Sequence, residues 1–389
     1  MGRFRRLLVL HGSMVAIGVV GILVSFLGMP GSTLFPFVLG CVALFVGFVG
    51  LVGPALEDLR RSGSIYESPR LQPVKADYTS SYENWSRVAF KGRASIHHED
   101  IDRLLQASAR VAIATQKTPW EPSEECEDVR RLIRIRLDFD DEKVRLANDL
   151  LPESTNVLLQ KTQYSSFKVT NLLGETALRQ RGRSGELLDP TAVLLRNGVI
   201  PALGHSGCSN HIGVDVIAVS SSGRIFLPLQ GERNTTSKGL LAPSGSGSMD
   251  WSDLHGCNDL VGLVRNAMRR ELTEEMGLTG RDVPAVDDLQ VLRYARVTNW
   301  GGKPQFFGVA RVGDVRAEVR GLEKRYHDDY EIIDFDPDSG AKSLVAAVSS
   351  FNTEQAERIS FPLFENLLVL CDWLEADPTA WPWLTRTAG

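Results

Sequence analysis

Residues 256–278 read GCNDLVGLVRNAMRRELTEEMGL, and this stretch decides the fold. Its second half has the apolar spacing of a single helix, which Gly277 is expected to end. Three acids in this helix, Glu271, Glu274 and Glu275, fall at positions i, i+3 and i+4. This spacing places three carboxylates on one helix face, within reach of a single hard cation.

The stretch resembles the Nudix box, whose pattern is Gly, five residues, Glu, seven residues, then Arg-Glu-apolar-any-Glu-Glu-any-Gly-apolar. The matching residues are Gly256, Arg270, Glu271, Leu272, Glu274, Glu275, Gly277 and Leu278. Position 262, where the pattern has its first Glu, is Gly262. A solvated acidic helix face is the alternative explanation for such a cluster of glutamates.

The resemblance implies an α/β fold, a Nudix-type α/β/α sandwich with a mixed sheet. It also implies hydrolysis of nucleoside diphosphates linked to another moiety, with Mg²⁺ or Mn²⁺ as cofactor. The expected metal ligands are Glu271, Glu274, Glu275 and Gly256. The expected catalytic residues are the same three glutamates and Arg270, their ion-pair partner. The absence of the first Glu weakens the expectation of full activity more than that of the fold.

The overall composition is that of a mostly globular protein, with 389 residues, 23% charged residues and a net charge of −5. This length suffices for two or three domains. The five cysteines form no CxxC pair, which indicates no disulfide framework and a reducing compartment. The net negative charge gives no support to binding of a nucleic acid duplex, which requires a basic face.

The N-terminal region differs sharply from this average, because no Asp, Glu, Lys or Arg lies between Arg6 and Glu57. Two apolar runs, residues 7–28 and 34–55, are each long enough to cross a ~30 Å hydrocarbon core as a helix. A short Pro-Gly turn separates them. Residues 1–60 are therefore predicted to form a two-helix transmembrane hairpin. A secretory signal peptide is the alternative for the first run, but it would have a shorter apolar core.

Basic residues flank the hairpin on both sides, namely Arg3, Arg5 and Arg6 before it and Arg60 and Arg61 after it. The positive-inside rule then places both termini in the cytoplasm. The expected location is a bacterial inner (cell) membrane, crossed twice.

Small residues recur with the same spacing in both runs. They are Gly18, Gly21, Ser25 and Gly28 in the first run and Gly40, Ala43, Gly47 and Gly50 in the second. Such stripes let membrane helices approach closely. They predict either packing within one hairpin or self-assembly into a homo-oligomer.

The remainder divides into a juxtamembrane linker and accessory region, residues 61–205, and a Nudix-like domain, residues 206–389. Helices are predicted over residues 99–114 and 362–375, the second capped by Ser360. Strands are predicted over 156–160, 166–171, 212–218, 225–229, 289–298 and 305–312, and in the later half of 126–137. Residues 241–250 read either as a flexible linker or as a glycine-rich approach to the box, and the acidic residues 138–143 as a solvated loop.

Further site residues are less distinctive. Trp300 and Phe306 are the candidates for stacking on a nucleotide base, although Phe306 and its neighbour Phe307 are also typical of a core strand. Candidates for a general base outside the box are Glu323, Asp328, Asp329 and Glu331. His205, Cys208, His211, His255 and Cys257 are zinc-ligand types, but their spacing matches no common structural zinc site.

The order of hairpin, accessory region and Nudix-like domain resembles the CD-NTase-associated (CBASS) transmembrane Nudix effector proteins of bacterial antiviral defence. This resemblance implies that a cyclic oligonucleotide binds the cytosolic domain and that the hairpin then disrupts the lipid bilayer. The alternatives are a membrane-tethered, Mg²⁺-dependent Nudix hydrolase and a scaffold that keeps the box as a structural relic.

Overall fold

The computed structural model describes residues 59–78, 82–133, 140–231, 237–313 and 327–386, with six further positions between 42 and 57. The chain forms two compact units: Met1–Glu67 with Asp128–Ile135 and Leu178–Leu187, and Ser68–Glu127 with Arg136–Ala177 and Leu188–Gly389. Most of the predicted membrane hairpin lies outside the described residues. Within them, no helix combines the length and the apolar character needed to span a membrane.

The strands of the described chain are β1 (Ile65–Pro69), β2 (Ser86–Phe90), β3 (Arg93–His97), β4 (Ala112–Thr115), β5 (Glu142–Leu146), β6 (Asn156–Gln163), β7 (Thr176–Gln180), β8 (Gly213–Ser220), β9 (Arg224–Gln230), β10 (Gly245–Ser248), β11 (Leu289–Val297), β12 (Lys303–Val312) and β13 (His327–Asp334). The α-helices with defined bounds in the described residues are α1 (Glu99–Gln106), α2 (Glu124–Ile133), α3 (Tyr164–Lys168), α4 (Pro190–Leu194), α5 (Leu260–Met276), α6 (Ala341–Glu354), α7 (Phe361–Ala376) and α8 (Ala380–Thr385).

The central sheet has the strand order β13-β9-β8-β12-β11-β3-β2, and β10 also pairs with β8. It is mixed, because β8 and β12 are parallel whereas β11 and β12 are antiparallel. Strands β2 and β3 come from the region before residue 205, yet they extend the same sheet. A second sheet has the order β4-β6-β5, and β1 pairs with β7.

Helices cover both faces of the central sheet, with α5 packing on one face and α7 on the other. Side chains of β8 alternate between the two cores, as successive residues of a strand must. Val214 and Val216 pack in the same cluster as Val264 of α5. Ile217 packs in the same cluster as Leu367 of α7. The predicted mixed α/β fold is therefore confirmed, with the layers helix, sheet and helix.

Several predicted elements are confirmed close to their predicted bounds. They are the strands β6, β8, β9, β11 and β12 and the helix α7. Ser360 caps α7 as expected, because its side chain accepts a hydrogen bond from the backbone N–H of Leu363 at 3.3 Å.

Other expectations were wrong. The helix predicted over 99–114 ends at Gln106, because Ser108 has a left-handed φ of 52° and Ala112 begins β4, which pairs with β6. The strand predicted over 166–171 is helical, since the Asp140 carboxylate accepts from the backbone N–H of Ser165 at 2.8 Å and stabilises the first turn of α3.

Two more segments differ from their expected form. The stretch 126–137 is helical in α2 as far as Ile133, and most of the strand predicted in its later half falls on residues 134–139, which lie outside the described part of the chain. The Gly/Ser-rich stretch 241–250 contains β10, which pairs with β8, so it is not a flexible linker.

Candidate functional site

Helix α5 carries the box residues, and both of its ends are fixed by local contacts. At the N-terminus the carboxylate of Asp259 accepts from the backbone N–H of Gly262 at 2.9 Å, which satisfies one free donor of the first turn. At the C-terminus Gly277 has a φ of 63°, a left-handed conformation that glycine adopts at low cost. The helix thus ends at Gly277 as the sequence predicted, but it begins at Leu260, earlier than the second half of the stretch to which the prediction assigned it.

Four carboxylates surround the guanidinium group of Arg270, and we call them the acid cluster: Asp250, Asp253, Glu271 and Glu274. Asp253 accepts in bidentate fashion from Nε and Nη2, both at 3.0 Å. Nη1 lies 3.0 Å from one oxygen each of Glu271 and Glu274, and 3.5 Å from Asp250. The planar fork of arginine suits such multiple pairing. Burial opposes the charge of Arg270, but the surrounding acids raise its pKa above the ordinary value.

The third box glutamate points elsewhere. Glu275 is buried, and its Oε2 accepts from the backbone N–H of Ser246 in β10 at 2.9 Å. Glu274 is half-exposed, with 47% of its side-chain surface accessible. The structure therefore brings Glu271 and Glu274 together at Arg270 and places Glu275 against β10.

Strand β10 lies against the carboxylate of Glu271. A Cβ atom added at Gly247 would lie 2.2 Å from the carboxylate carbon of Glu271, far inside van der Waals contact. Residue 247 must therefore lack a side chain if Glu271 is to stay where it is.

The Glu271 carboxyl group has a strongly perturbed acidity. Burial raises its pKa to about 7, with Arg270 opposing the rise and the charge of Glu274 adding to it. Lys143 lowers this pKa and Asp250 raises it. The acid is held in a dry site where negative charge exceeds positive charge.

Lys143 reaches the acid cluster from β5, outside the predicted Nudix-like domain. Its side chain is buried, forms an ion pair with Asp250 and lies over the ring of Tyr164, 5.9 Å from the ring centroid. Strand β5 is anchored there by its backbone, since the N–H of Val144 donates to the carbonyl of Met249 at 3.0 Å. Residue 143, predicted to close a solvated acidic loop, is thus part of the site.

The bidentate partner of Arg270 comes from outside α5. Position 262 lies in the first turn of α5, about 12 Å along the helix axis from Arg270. The bidentate partner of Arg270 is instead Asp253, which follows Gly247 after five residues, the spacing between the first Gly and the Glu of the box pattern. Sixteen residues separate Asp253 from Arg270, where the pattern has seven.

The chemistry of the acid cluster fits a hard divalent cation. Its four carboxylates face two cationic side chains, Lys143 and Arg270, so an excess of negative charge and oxygen donors remains. Mg²⁺ and Mn²⁺ favour such donors. As the side chains stand, no three His, Cys, Asp or Glu in the described part of the chain form a metal-ligand set. Protein cations hold these oxygens instead.

The remaining predicted site residues are not among those that form the acid cluster. Gly256 follows a short 3₁₀ helix and has a φ of 78°. Phe306 is fully buried against Tyr294, with ring centroids 5.0 Å apart. Trp300 is buried and packs edge-on against Phe167, with ring centroids 5.8 Å apart. Their roles as metal ligand and base-stacking residues stay predictions.

The general-base and zinc candidates are placed as follows. Glu323 lies outside the described residues, and Glu331 forms an ion pair with Arg358 at 2.7 Å. The Sγ of Cys208 lies 3.5 Å from the carbonyl of Val193. His211 is buried, and its Nε2 lies 3.0 Å from the hydroxyl of Ser248.

A cleft of about 340 Å³ borders the acid cluster on the outer side of α5. It is lined by Ser252, Asp253, His255, Asn266, Arg269, Arg270, Thr273, Glu274 and Val283. All of its lining residues except Val283 have a polar or charged side chain, and the charges are of both signs. Ligand-binding clefts in proteins have volumes of roughly 300–1,000 Å³, so this cleft falls in that range.

No protein-family model matches the chain, and no curated protein matches it. Solved structures that are similar to part of it include the following two. DR0079 from Deinococcus radiodurans is 14% identical, and the match covers 41% of this chain and 81% of that one with a TM-score of 0.28. The MutT protein from Methanosarcina mazei Go1 is 18% identical, with coverages of 43% and 96% and a TM-score of 0.27. Both TM-scores are too low to establish a shared fold.

Proposed function

We propose that this chain is a membrane-anchored effector of a bacterial CBASS-type antiphage system. Its Nudix-like domain binds a cyclic oligonucleotide signal, and its N-terminal hairpin then disrupts the membrane. The observation that carries the ligand-binding half is the polar cleft beside the acid cluster on α5. The membrane half rests on the sequence of residues 7–56, which contains no charged residue.

The cleft favours a phosphorylated, polar ligand. Arg269 and Arg270 line it together with hydroxyl and amide side chains, which are donors suited to phosphate and sugar oxygens. A divalent cation, held by carboxylates of the acid cluster, would neutralise phosphate charge when bound. The protein's own contribution is to keep these acids in a fixed, mostly buried arrangement through Arg270, Ser246 and Gly247.

Retention of the acids by Arg270 favours binding of the ligand over its turnover. Glu271 and Glu274 both pair with Arg270, and Glu275 is bonded to the backbone of β10. A domain that holds a signal without cleaving it quickly suits a sensor. Hydrolysis by the same acids is the second candidate function, because the Arg-Glu-Leu-Thr-Glu-Glu sequence of residues 270–275 is intact.

Vesicle leakage tests the effector function. The purified full chain, reconstituted in vesicles loaded with a fluorescent dye, should release the dye when a cyclic dinucleotide or cyclic trinucleotide of a test panel is added. Gly47→Leu should abolish the release, because a large side chain in the small-residue stripe blocks close helix contact. Gly53→Leu, outside the stripe, is the matched control. Absence of leakage with every member of the panel would contradict the effector role.

Product analysis tests the hydrolase function. The full chain, incubated with Mg²⁺ and a panel of dinucleotides, sugar nucleotides and nucleoside triphosphates, should release a mononucleotide or phosphate. Glu274→Gln should lower the rate by at least about tenfold, the usual scale for loss of one charged active-site group. A panel that remains intact would leave ligand binding, measured by calorimetry, as the domain's activity.

A further inference from the structure

We propose that Lys143 is a built-in counter-ion of the acid cluster, through which the accessory sheet limits the binding of a divalent cation there. The inference rests on the proposed function, since it assumes that the acid cluster is a cation site. It assigns to the sheet β4-β6-β5 a role in controlling the site.

The first step is the position of Lys143. The residue belongs to β5, yet its ammonium group pairs with Asp250, and it acts electrostatically on Glu271 as well. Only 8% of its side-chain surface is accessible, and that of Asp250 is 21% accessible. The Coulomb attraction between two charges so shielded from water is screened less than between charges at the surface.

The second step is that β5 cannot easily leave the site. One edge of its backbone pairs with β6, and at the other edge the Val144 N–H donates to the Met249 carbonyl at 3.0 Å while the Val144 carbonyl accepts from the Ile212 N–H at 2.8 Å. The strand is therefore hydrogen-bonded to the segment that precedes β8 and to the segment that follows β10. The Lys143 side chain is held at the acid cluster by the same contacts.

The third step is the difference between the two protein cations. Arg270 is bound to both oxygens of Asp253, to Glu271 and Glu274, and to the carbonyl of Ser248 at 3.0 Å, so it forms part of the framework of α5. The only carboxylate that Lys143 pairs with among the described contacts is that of Asp250. Removal of Lys143 leaves Asp250 with only its longer 3.5 Å ion pair to Arg270 and keeps the helix contacts intact.

The consequence is competition between Lys143 and a metal ion. A divalent cation binding at the cluster lies close to the ammonium group and is repelled by it, while the same group occupies one of the oxygen donors. Replacing Lys143 by an uncharged residue should therefore tighten cation binding. Misfolding of the variant cannot explain such a result, because a misfolded protein would lose affinity for the cation.

The test is Mn²⁺ binding to the full chain in detergent micelles, with free Mn²⁺ measured by electron paramagnetic resonance. Lys143→Met should lower the Mn²⁺ Kd by about tenfold, and Lys143→Arg, which keeps the charge, should leave it near the wild-type value. Adding Asp250→Asn to Lys143→Met should reverse the gain. A second readout is thermal unfolding, in which Mn²⁺ should stabilise Lys143→Met more than the wild type.

Lys161→Met is the matched control, because Lys161 lies on the adjacent strand, pairs with Glu142 at 2.8 Å and lies over the ring of Trp251. It should leave the Mn²⁺ Kd unchanged. Unchanged or weaker binding in Lys143→Met, with the wild type binding Mn²⁺, overturns the inference and leaves the proposed cation site standing. No Mn²⁺ binding in either protein overturns both.

Discussion

The contact between Gly247 and Glu271 shows how a single backbone position determines the geometry of the site. The Glu271 carboxylate lies where a side chain of residue 247 would be, and the same acid pairs with Arg270. Residue 247 therefore affects the site because it has no side chain, which leaves room for the Glu271 carboxylate. The glutamates are conspicuous in the sequence. Gly247, which leaves room for one of them, lies in a stretch with the composition of a linker.

Gly247→Ala should displace the Glu271 carboxylate, because its new Cβ would lie 2.2 Å from the carboxylate carbon. We expect Mn²⁺ affinity to fall by at least about tenfold, the scale of a lost charged contact. Gly262→Ala is the control, since the nearest atom to its added Cβ is 3.6 Å away and alanine favours the helix. Equal affinities in the two variants would contradict the role of Gly247.

Glu365 in α7 gives a prediction on pH. It is fully buried, its Oε1 accepts from the hydroxyl of Ser95 at 2.6 Å, and burial raises its pKa to about 8. The folded state therefore binds this proton more tightly than the unfolded state. The resulting stabilisation is present at low pH and is lost as the pH rises from about 4.5 to about 8.

Glu365→Gln removes this titration and keeps an acceptor for Ser95. The free energy of unfolding of the variant, relative to wild type, should increase by at least about 1 kcal/mol between pH 5 and pH 8. Urea unfolding in detergent micelles at the two pH values measures it. A difference that stays constant with pH would show that Glu365 does not titrate in this range.

At the scale of elements, helix α5 depends on its N-cap. Asp259→Ala leaves a backbone donor of the first turn without the acceptor that Asp259 provides, and should lower the free energy of unfolding by about 1 kcal/mol. Hydrogen exchange of the first turn of α5 should also become faster. Asp282→Ala, at an exposed acid beyond the helix, should change neither quantity.

Elements whose residues repeat with a regular period could be predicted from the sequence. Burial on both faces of one sheet explains the alternation in strands β8, β9, β11 and β12 and the presence of the capped helix α7. Elements that depend on residues distant in the sequence could not be predicted in this way. The strand β4 exists because it pairs with β6, and α3 begins where Asp140 supplies a carboxylate to Ser165.

The site was predictable to the same extent. The box acids and Gly277 share one helix, so local spacing places them. Lys143 and Asp253 reach Arg270 and its neighbours from other segments of the chain, and no local pattern connects them. Their positions depend on how β5 and the short 3₁₀ helix Trp251–Leu254 pack beside α5.

At the scale of the whole molecule, the charge-free N-terminal segment contrasts with the charged remainder of the chain. We expect the full chain to remain with the membrane fraction after washing with carbonate, because two apolar runs of this length partition into lipid. A chain lacking residues 1–58 should leave that fraction. Full-length protein released by carbonate would contradict the membrane anchor.

Strand β10 has one more consequence, for evolution and for protein engineering. A Cβ at Gly245 would lie 2.7 Å from the backbone of Leu272, while the hydroxyls of Ser246 and Ser248 bond Asp215 and His211. Four small residues, the composition of a spacer, are thus each constrained by a different neighbour. A deep mutational scan should find this tetrapeptide as intolerant as a hydrophobic core, and an affinity tag or fluorescent protein inserted there should abolish folding.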